Sequence, residues 1–207
     1  LILDSSTSHL ASKFDNDLKV INIHPYLDTK IINKIEHYST LENFDYQNFL
    51  ITLSSGSTGK PKPVIYSEQN KIDRSNQAVK LFGVSNKDVI LCASPFFHSL
   101  GQRLTFLPLL LGTTLVQVTR FSRKAWSEAV FHNEVTFTIP VSSHLHELVD
   151  LMMSSTKLLK SLRCIVSSSA AINLEIKKNL VDSLEYDFYE MYGASEVATA
   201  SCLNKQE

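Results

Sequence analysis

The sequence predicts an α/β fold, with mixed or parallel sheets flanked by helices. Short apolar runs of strand length alternate with longer stretches of helical spacing nearly throughout. The chain also opens with a β-α-β rhythm: Leu1–Leu3, a short helix over residues 8–14, then Lys19–Ile23, the arrangement of a parallel sheet. The 207 residues are 43% hydrophobic and 20% charged, enough to bury a core without disulfides or metal.

Residues 28–48 are polar and weakly patterned. Phe49–Leu53 reads as a strand that runs into a Ser/Gly/Thr loop, and Val64–Tyr66 as its hairpin partner. Residues 68–82 carry helical spacing at Ile72, Ala78, Val79 and Phe82. Val89–Ala93 is a buried strand, Leu100–Leu111 a helix interrupted by Pro108, and Thr114–Val118 a strand. Ser122 caps a helix through Phe131. Val135–Ile139 is a strand ended by Pro140, and Ser143 caps a helix with Leu145, Leu148, Val149 and Met152 on one face. Leu162–Val166, Leu174–Leu184 and Phe188–Tyr192 complete the alternation as strand, helix and strand.

Charge and cysteine content narrow the function. Twenty basic residues against 21 acidic give a net charge of −1, and no Lys/Arg run supplies a local field, which argues against nucleic acid. Cys92, Cys164 and Cys202 are far apart with no C-x-x-C, which excludes a disulfide scaffold and a cysteine zinc site and fits the cytoplasm. Pro108, Gly112 and polar residues break the apolar stretch from Leu104 to Val118, so it is too short and too polar to span a bilayer. A start at Leu1 rather than Met is expected of a piece of something longer.

The loop Ser54-Ser55-Gly56-Ser57-Thr58-Gly59-Lys60-Pro61-Lys62-Pro63 combines exposed N–H groups, hydroxyls and two lysines, which suits a polyphosphate. It is not a Walker A loop: Ser54 stands where the first Gly is needed, and Pro61 where Ser/Thr should follow Lys60. Its composition alone is equally that of a polar hairpin turn that binds nothing.

The order of residues goes further. Leu53 through Lys62 resembles the phosphate loop of the adenylate-forming superfamily, [YL]-[TS]-S-G-[ST]-T-G-x-P-K-G, with Pro63 where the family has Gly. That superfamily comprises acyl- and aryl-CoA synthetases, peptide-synthetase adenylation domains and luciferases. Pro95-Phe96-Phe97-His98-Ser99-Leu100-Gly101 is similar to the family's P-x-F-H-x-x-G. Ser167-Ser168-Ser169-Ala170-Ala171-Ile172 is similar to S-G-G-A-x-[LI], with serines for both glycines and Ala171 for the usual Pro. Tyr192-Gly193-Ala194-Ser195-Glu196 resembles Y-G-x-[TS]-E. The resemblance covers essentially the whole chain.

The resemblance implies roles. Ser54, Ser55, Gly56, Ser57, Thr58, Gly59 and Lys62 would cradle the ATP phosphates. Ser168, Ser169 and Ala170 would pass beside the adenine, Tyr192 would stack on the purine, and Gly193 would let the backbone approach the nucleotide closely. Ser195 would contact the α-phosphate, Glu196 would hold Mg²⁺, and His98 would line the acid pocket. Ser195, Glu196 and Lys62 would be the catalytic set. The implied reaction turns a carboxylic acid and ATP into acyl-AMP and pyrophosphate, then passes the acyl group to a thiol such as CoA. Phe97, His98 and Ser99 offer no carboxylate for an α-ammonium, so the acid is expected to be fatty or aromatic. Two alternatives stay open: a carrier-protein thiol as acceptor, or a degenerate nucleotide-binding or interaction module without catalysis. Residues 1–207 are expected to be part of the large N-terminal domain, without the T-G-D motif or the C-terminal domain bearing the catalytic Lys, and to turn over little or nothing alone.

Overall fold

The computed structural model describes residues 48–54, 61–154, 159–183 and 185–204, and the backbone of residues 2–3 and 21–22. The chain divides into two compact units, Leu1–Asn43 and Phe44–Glu207. In the first, β1 (Ile2–Leu3) pairs in parallel with β2 (Ile21–Asn22), as the opening rhythm predicts. The helix expected over 8–14 lies outside the described residues.

The second unit begins with a hairpin. β3 (Asn48–Ser54) pairs antiparallel with β4 (Lys62–Ser67), and Leu53 stands opposite Pro63. Proline is tolerated there because a two-stranded ribbon leaves one edge of β4 without ladder bonds to lose. Side chains alternate across the ribbon: Thr52 and Tyr66 are buried, while Ile51, Leu53 and Ile65 are exposed.

α1 (Glu68–Phe82) follows at once. Ser67 Oγ accepts from the Asn70 N–H and the Asn70 side chain accepts from the Ser67 N–H, a capping box that starts the helix; Gly83 ends it in the left-handed conformation. The buried stripe is Lys71, Arg74, Ser75, Ala78 and Phe82, and Ile72 faces outward, contrary to expectation. Positions 71, 74, 75, 78 and 82 share one face of a 3.6-residue helix, so burying Phe82 and Ala78 brings the two cations inward with them.

The main sheet has six strands in the order β10-β9-β8-β7-β5-β6. β5 (Val89–Cys92), β6 (Thr114–Gln117), β7 (Phe137–Thr138), β8 (Cys164–Ser167) and β9 (Asp187–Tyr192) run parallel, and β10 (Ser201–Asn204) is antiparallel to β9. Helices cover both faces. α1 and α2 (Ser99–Leu111) bury Ala78, Phe82, Leu104 and Leu107 against Ile90, Cys92 and Phe137. On the other face α3 (Arg123–Asn133), α4 (Ser142–Ser154) and α5 (Leu174–Ser183) bury Trp126, Val130, Leu145, Leu148, Met152 and Leu180 against Leu91, Ile165 and Phe188. This is the mixed α/β architecture the sequence predicts.

Two local expectations are corrected, and one strand is additional. α2 is continuous through Pro108, which lies in its last turn and lacks only its own N–H; its carbonyl accepts from Gly112 and Thr113. α4 begins at Ser142, so Ser143 lies inside its first turn. Val141 bridges to Ser168 and the Ser142 N–H donates to the Ser168 carbonyl at 3.1 Å, which keeps the chain extended through Val141. β10 was not foreseen, because Ser201–Asn204 is short and carries no alternation of its own.

Candidate nucleotide site

In an open parallel sheet, ligands bind outside the carboxyl ends of the strands, where successive connections leave for opposite faces. Here that reversal falls between β5 and β7. The chain leaving β5 enters α2 on one face, and the chain leaving β7 enters α4 on the other. Because the strands are parallel, their exits share one edge. The β5 exit carries Pro95–His98, the β7 exit Pro140–Ser142, the β8 exit Ser168–Ala170 and the β9 exit Gly193–Glu196. Segments up to about a hundred residues apart in sequence are thus gathered by topology alone.

Each exit is built locally. The Gly101 position explains the glycine of its motif: a Cβ there would lie 2.1 Å from the Pro95 carbonyl oxygen, so only glycine lets α2 pack on the β5 exit. His98 is the N-cap residue of α2, but its side chain makes no cap bond; the ring is exposed and lies against Phe97, centroids 4.4 Å apart. The β7 and β8 exits are joined by Ser168 N–H to Pro140 C=O, 3.2 Å. Ser168 is buried, while Ser169 and Ala170 are exposed. The Glu190 carboxylate accepts from Ile172 N–H at 3.2 Å and pairs with Lys177 at 3.0 Å, which ties the 168–172 turn to β9 and α5.

Ser169 has φ 77°, the left-handed region that costs a non-glycine residue about 1–2 kcal/mol. It stands where the family pattern has glycine, so the backbone keeps the glycine path and Ser169 bears the strain. Ser169→Gly is expected to stabilise the intact protein by about 1 kcal/mol, raising its thermal midpoint by about 2–4 °C. An unchanged or lower midpoint by calorimetry would count against this.

The β9 exit reverses through residues 193–200 into β10. Ala198 N–H bonds the Ala194 carbonyl and Ala200 N–H the Tyr192 carbonyl, both at 2.9 Å, and Ala198 itself is left-handed at φ 63°. A Cβ on Gly193 would lie 1.7 Å from the Ala198 carbonyl oxygen. The close approach this glycine permits is therefore to the chain's own backbone. Tyr192 is 73% exposed, presenting a free aromatic face at the edge.

Glu196, Val197 and Ala198 close one side of an open cleft of about 310 Å³; Val64, Ile65 and Tyr66 of β4 and Asn70, Asp73, Arg74 and Gln77 of α1 form the rest. The turn motif thus faces the strand that leaves the Ser/Gly loop. Ser54 pairs with Lys62 at the loop's neck, and Ser54 Oγ donates to the Lys62 carbonyl at 3.3 Å. Ser55, Gly56, Ser57, Thr58 and Gly59 lie outside the described residues.

Beneath the cleft sit cations without carboxylate partners among the described ion pairs. Arg74 Nη2 donates to the Ser195 carbonyl at 2.5 Å and Arg74 Nη1 to Ser99 Oγ at 3.2 Å, and the Tyr66 hydroxyl also donates to the Ser195 carbonyl. Lys71 Nζ lies 3.8 Å from the Tyr66 ring centroid and donates to Gln102 Oε1 at 2.8 Å. Arg103 Nη2 donates to Gln77 Oε1 at 2.8 Å and Thr199 Oγ1 at 3.0 Å. Burial, then the Arg74 charge, pulls the Lys71 ammonium down to about 8 and Arg103 to about 10. Burial also lowers Arg74, with Tyr66 and then Glu196 opposing it. Sequence reasoning missed these residues. Their signal was present: two cations on the stripe that also carries Ala78 and Phe82 need polar partners inside.

Among the described residues no cluster of three or more His, Cys, Asp or Glu side chains is able to hold an ion. Glu196 and Asp73 are the carboxylates lining the cleft. One or two protein carboxylates, with the remaining oxygens from phosphate and water, is the set Mg²⁺ takes in nucleotide sites, so the residues fit that ion.

The AMP-binding enzyme profile matches residues 24–207. The chain belongs to this family. Among its curated relatives, a 2-succinylbenzoate–CoA ligase of Bacillus cereus (strain AH820) is 26% identical over 190 residues, covering 91% of this chain and 39% of the relative. An indoleacetate–CoA ligase of Aromatoleum aromaticum is 28% identical over 148 residues, 71% of this chain and 29% of the relative. Among solved structures, O-succinylbenzoate coenzyme A synthetase from Bacillus subtilis, in complex with ATP and magnesium ion, superposes with a TM-score of 0.78 at 22% identity, over 99% of this chain and 42% of that one. The chain thus spans about two fifths of the 2-succinylbenzoate–CoA ligase it matches. No described helix is long and apolar enough to cross a membrane.

Proposed function

We propose that the protein is an ATP-dependent acid–thiol ligase that works in the cytoplasm. It activates a carboxylic acid, fatty or aromatic, as acyl-AMP with release of pyrophosphate, then transfers the acyl group to CoA. The supporting observation is convergence. The His98, Ser168–Ala170 and Tyr192–Glu196 segments leave the sheet at one edge, and Glu196 lines a cleft against β4, the strand that leaves the Ser/Gly loop. The CoA-ligase relatives point the same way.

On this reading Tyr192 stacks on the adenine and Ser168–Ala170 pass along its edge. Ser54–Gly59 and Lys62 hold the β- and γ-phosphates, which depart as pyrophosphate when the substrate carboxylate attacks the α-phosphorus. The Ser195 hydroxyl contacts the α-phosphate, and Glu196 holds Mg²⁺, which neutralises phosphate charge when bound. The protein's part is to orient the reactants and to meet developing charge with fixed donors. His98 and the exposed Phe97 line the mouth of the acid pocket without a carboxylate to receive an α-ammonium. The relatives' much greater length supports placing residues 1–207 within a large N-terminal domain, with the ribose-binding and lysine-bearing parts outside this span. The 207 residues alone are then expected to turn over little or nothing. Ser169 keeping a glycine-like path supports a competent site over a degenerate one.

The test is acid-dependent ATP–pyrophosphate exchange by the intact protein, across aryl, fatty and amino acids. Exchange is expected with an aryl or fatty acid and not with amino acids. Glu196→Gln is expected to lower it about 100-fold. Absence of exchange with every acid, or a Glu196→Gln variant as active as the wild type, would refute the reading. Following the acyl-AMP with CoA or a carrier protein then identifies the thiol.

A further inference from the structure

Two donors from successive elements meet on one backbone oxygen at the edge of the cleft. The Tyr66 hydroxyl on β4 and Arg74 Nη2 on α1 both donate to the Ser195 carbonyl. The guanidinium lies 4.4 Å from the Tyr66 ring centroid, and its other end is held by Ser99 Oγ at 3.2 Å. Both side chains are more than nine-tenths buried. Burial disfavours the charged guanidinium, and its contacts with Tyr66 and the Glu196 charge offset part of that cost.

The oxygen these donors share belongs to the peptide that joins Ser195 to Glu196. Fixing it fixes the plane of that peptide and so the direction in which Glu196 leaves the turn. The far end of the turn has separate anchors: Arg103 Nη2 donates to Thr199 Oγ1 at 3.0 Å, and Gln77 Nε2 to the Thr199 carbonyl at 3.2 Å. Losing Arg74 therefore frees the Glu196 side of the turn while the Thr199 side stays attached. On the other side of the link, Tyr66 lies four residues beyond Lys62 on the strand leaving the Ser/Gly loop.

We propose that Arg74, with Tyr66, is a positioning residue: it clamps the Ser195–Glu196 peptide to α1 and β4, and so sets where the Glu196 carboxylate stands in the cleft against β4. The functional consequence rests on the nucleotide reading above. The clamp itself is a statement about this chain's own contacts. A purely structural role would lower stability and weaken every ligand alike. A positioning role weakens the metal-dependent part of nucleotide binding.

The variants are Arg74→Met, which keeps the packing and removes the donors, Arg74→Lys, which restores charge and one donor, and Tyr66→Phe, which removes only the hydroxyl. Amide hydrogen exchange of the 193–200 segment is followed by mass spectrometry in the intact protein, and ATP affinity is measured by calorimetry with Mg²⁺ and with EDTA. In Arg74→Met, exchange of 193–200 is expected to rise about tenfold, the loss of one charge-assisted hydrogen bond, while the strands β5 to β8 stay within about twofold. ATP with Mg²⁺ is expected to weaken about tenfold and ATP with EDTA less than about twofold, with Arg74→Lys recovering most of the loss. Tyr66→Phe is expected to move both readouts the same way by about threefold, and it keeps the test open should Arg74→Met not fold. Unchanged exchange of 193–200 in the variants would overturn the clamp. Raised exchange with ATP affinity unaltered, or weakened equally in EDTA, would overturn the positioning role. Failure of the wild type to bind ATP would overturn the nucleotide reading instead, and the exchange comparison would still decide the clamp.

Discussion

Gly193→Ala is expected to unseat the turn that carries Ser195 and Glu196. The added carbon would lie 1.7 Å from the Ala198 oxygen, 2.8 Å from its carbonyl carbon and 3.3 Å from Thr199 Cα, all backbone atoms that cannot swing aside. Relief requires the Ala198 peptide to move by well over 1 Å, taking with it the Ala200 N–H bond to Tyr192 and the register of β10 on β9. The stability cost is expected to be about 3 kcal/mol, read as a lower urea midpoint in the intact protein. The functional cost is expected to be larger. A displacement of this size at a positioning element costs about 100-fold in rate, so acid-dependent pyrophosphate exchange should fall by at least that factor. A variant with a wild-type midpoint and normal exchange would mean that the turn yields easily and that Gly193 serves some other purpose.

The elements legible in the sequence were those with local signals. α1 was readable from its helical spacing over 68–82, and the Ser67–Asn70 capping box and left-handed Gly83 fix those same ends. β5 and β8 were readable as short apolar runs, and α3 from Ser122 as its cap. What failed depended on distant partners. Val141 is held extended by Ser168, which shifts the start of α4, and Ser201–Asn204 is a strand only because β9 lies beside it. The orientation of α1 was misread at Ile72 because two cations occupy the inward stripe that an apolar pattern would claim.

The candidate site was legible as a set of motifs but not as an arrangement. Nothing local to His98, Ser168 or Tyr192 says that they share an edge; the strand order does. Gly193 and Gly101 are glycines because the chain's own carbonyls crowd them. Arg74 and Tyr66 lie outside every motif, since their partner is a backbone carbonyl, which any residue at position 195 provides. A side chain that recognises main chain leaves no trace in the sequence of its target.

Asp88→Ala is expected to loosen the opposite edge of the sheet and to do so in a pH-dependent way. Asp88 is 3% exposed and accepts from Arg163 Nε at 2.6 Å and Nη2 at 2.7 Å, from Thr136 Oγ1 at 2.7 Å and from Ser85 N–H at 2.7 Å. The same Arg163 caps the C-terminal end of α1 through the Phe82 and Gly83 carbonyls, so one carboxylate joins α1, β5 and the strand entries of β7 and β8. Burial alone would raise the Asp88 carboxyl, but the bonds from Arg163, Thr136 and Ser85 outweigh it and hold it below its ordinary value. Removing the acceptor is expected to cost about 3 kcal/mol at pH 7, the lower end for a broken buried pair because Arg163 itself still reaches water. A carboxyl depressed in the folded state stabilises fully above its unfolded value of about 3.9, and that contribution disappears as pH falls through the lower folded value. The stability gap between wild type and Asp88→Ala, read from urea midpoints, should therefore stay constant from about pH 8 to 5 and close below about pH 4. A gap that widened on acidification would mean that Asp88 is held as the neutral acid, and the account of this edge as an ion pair would be wrong.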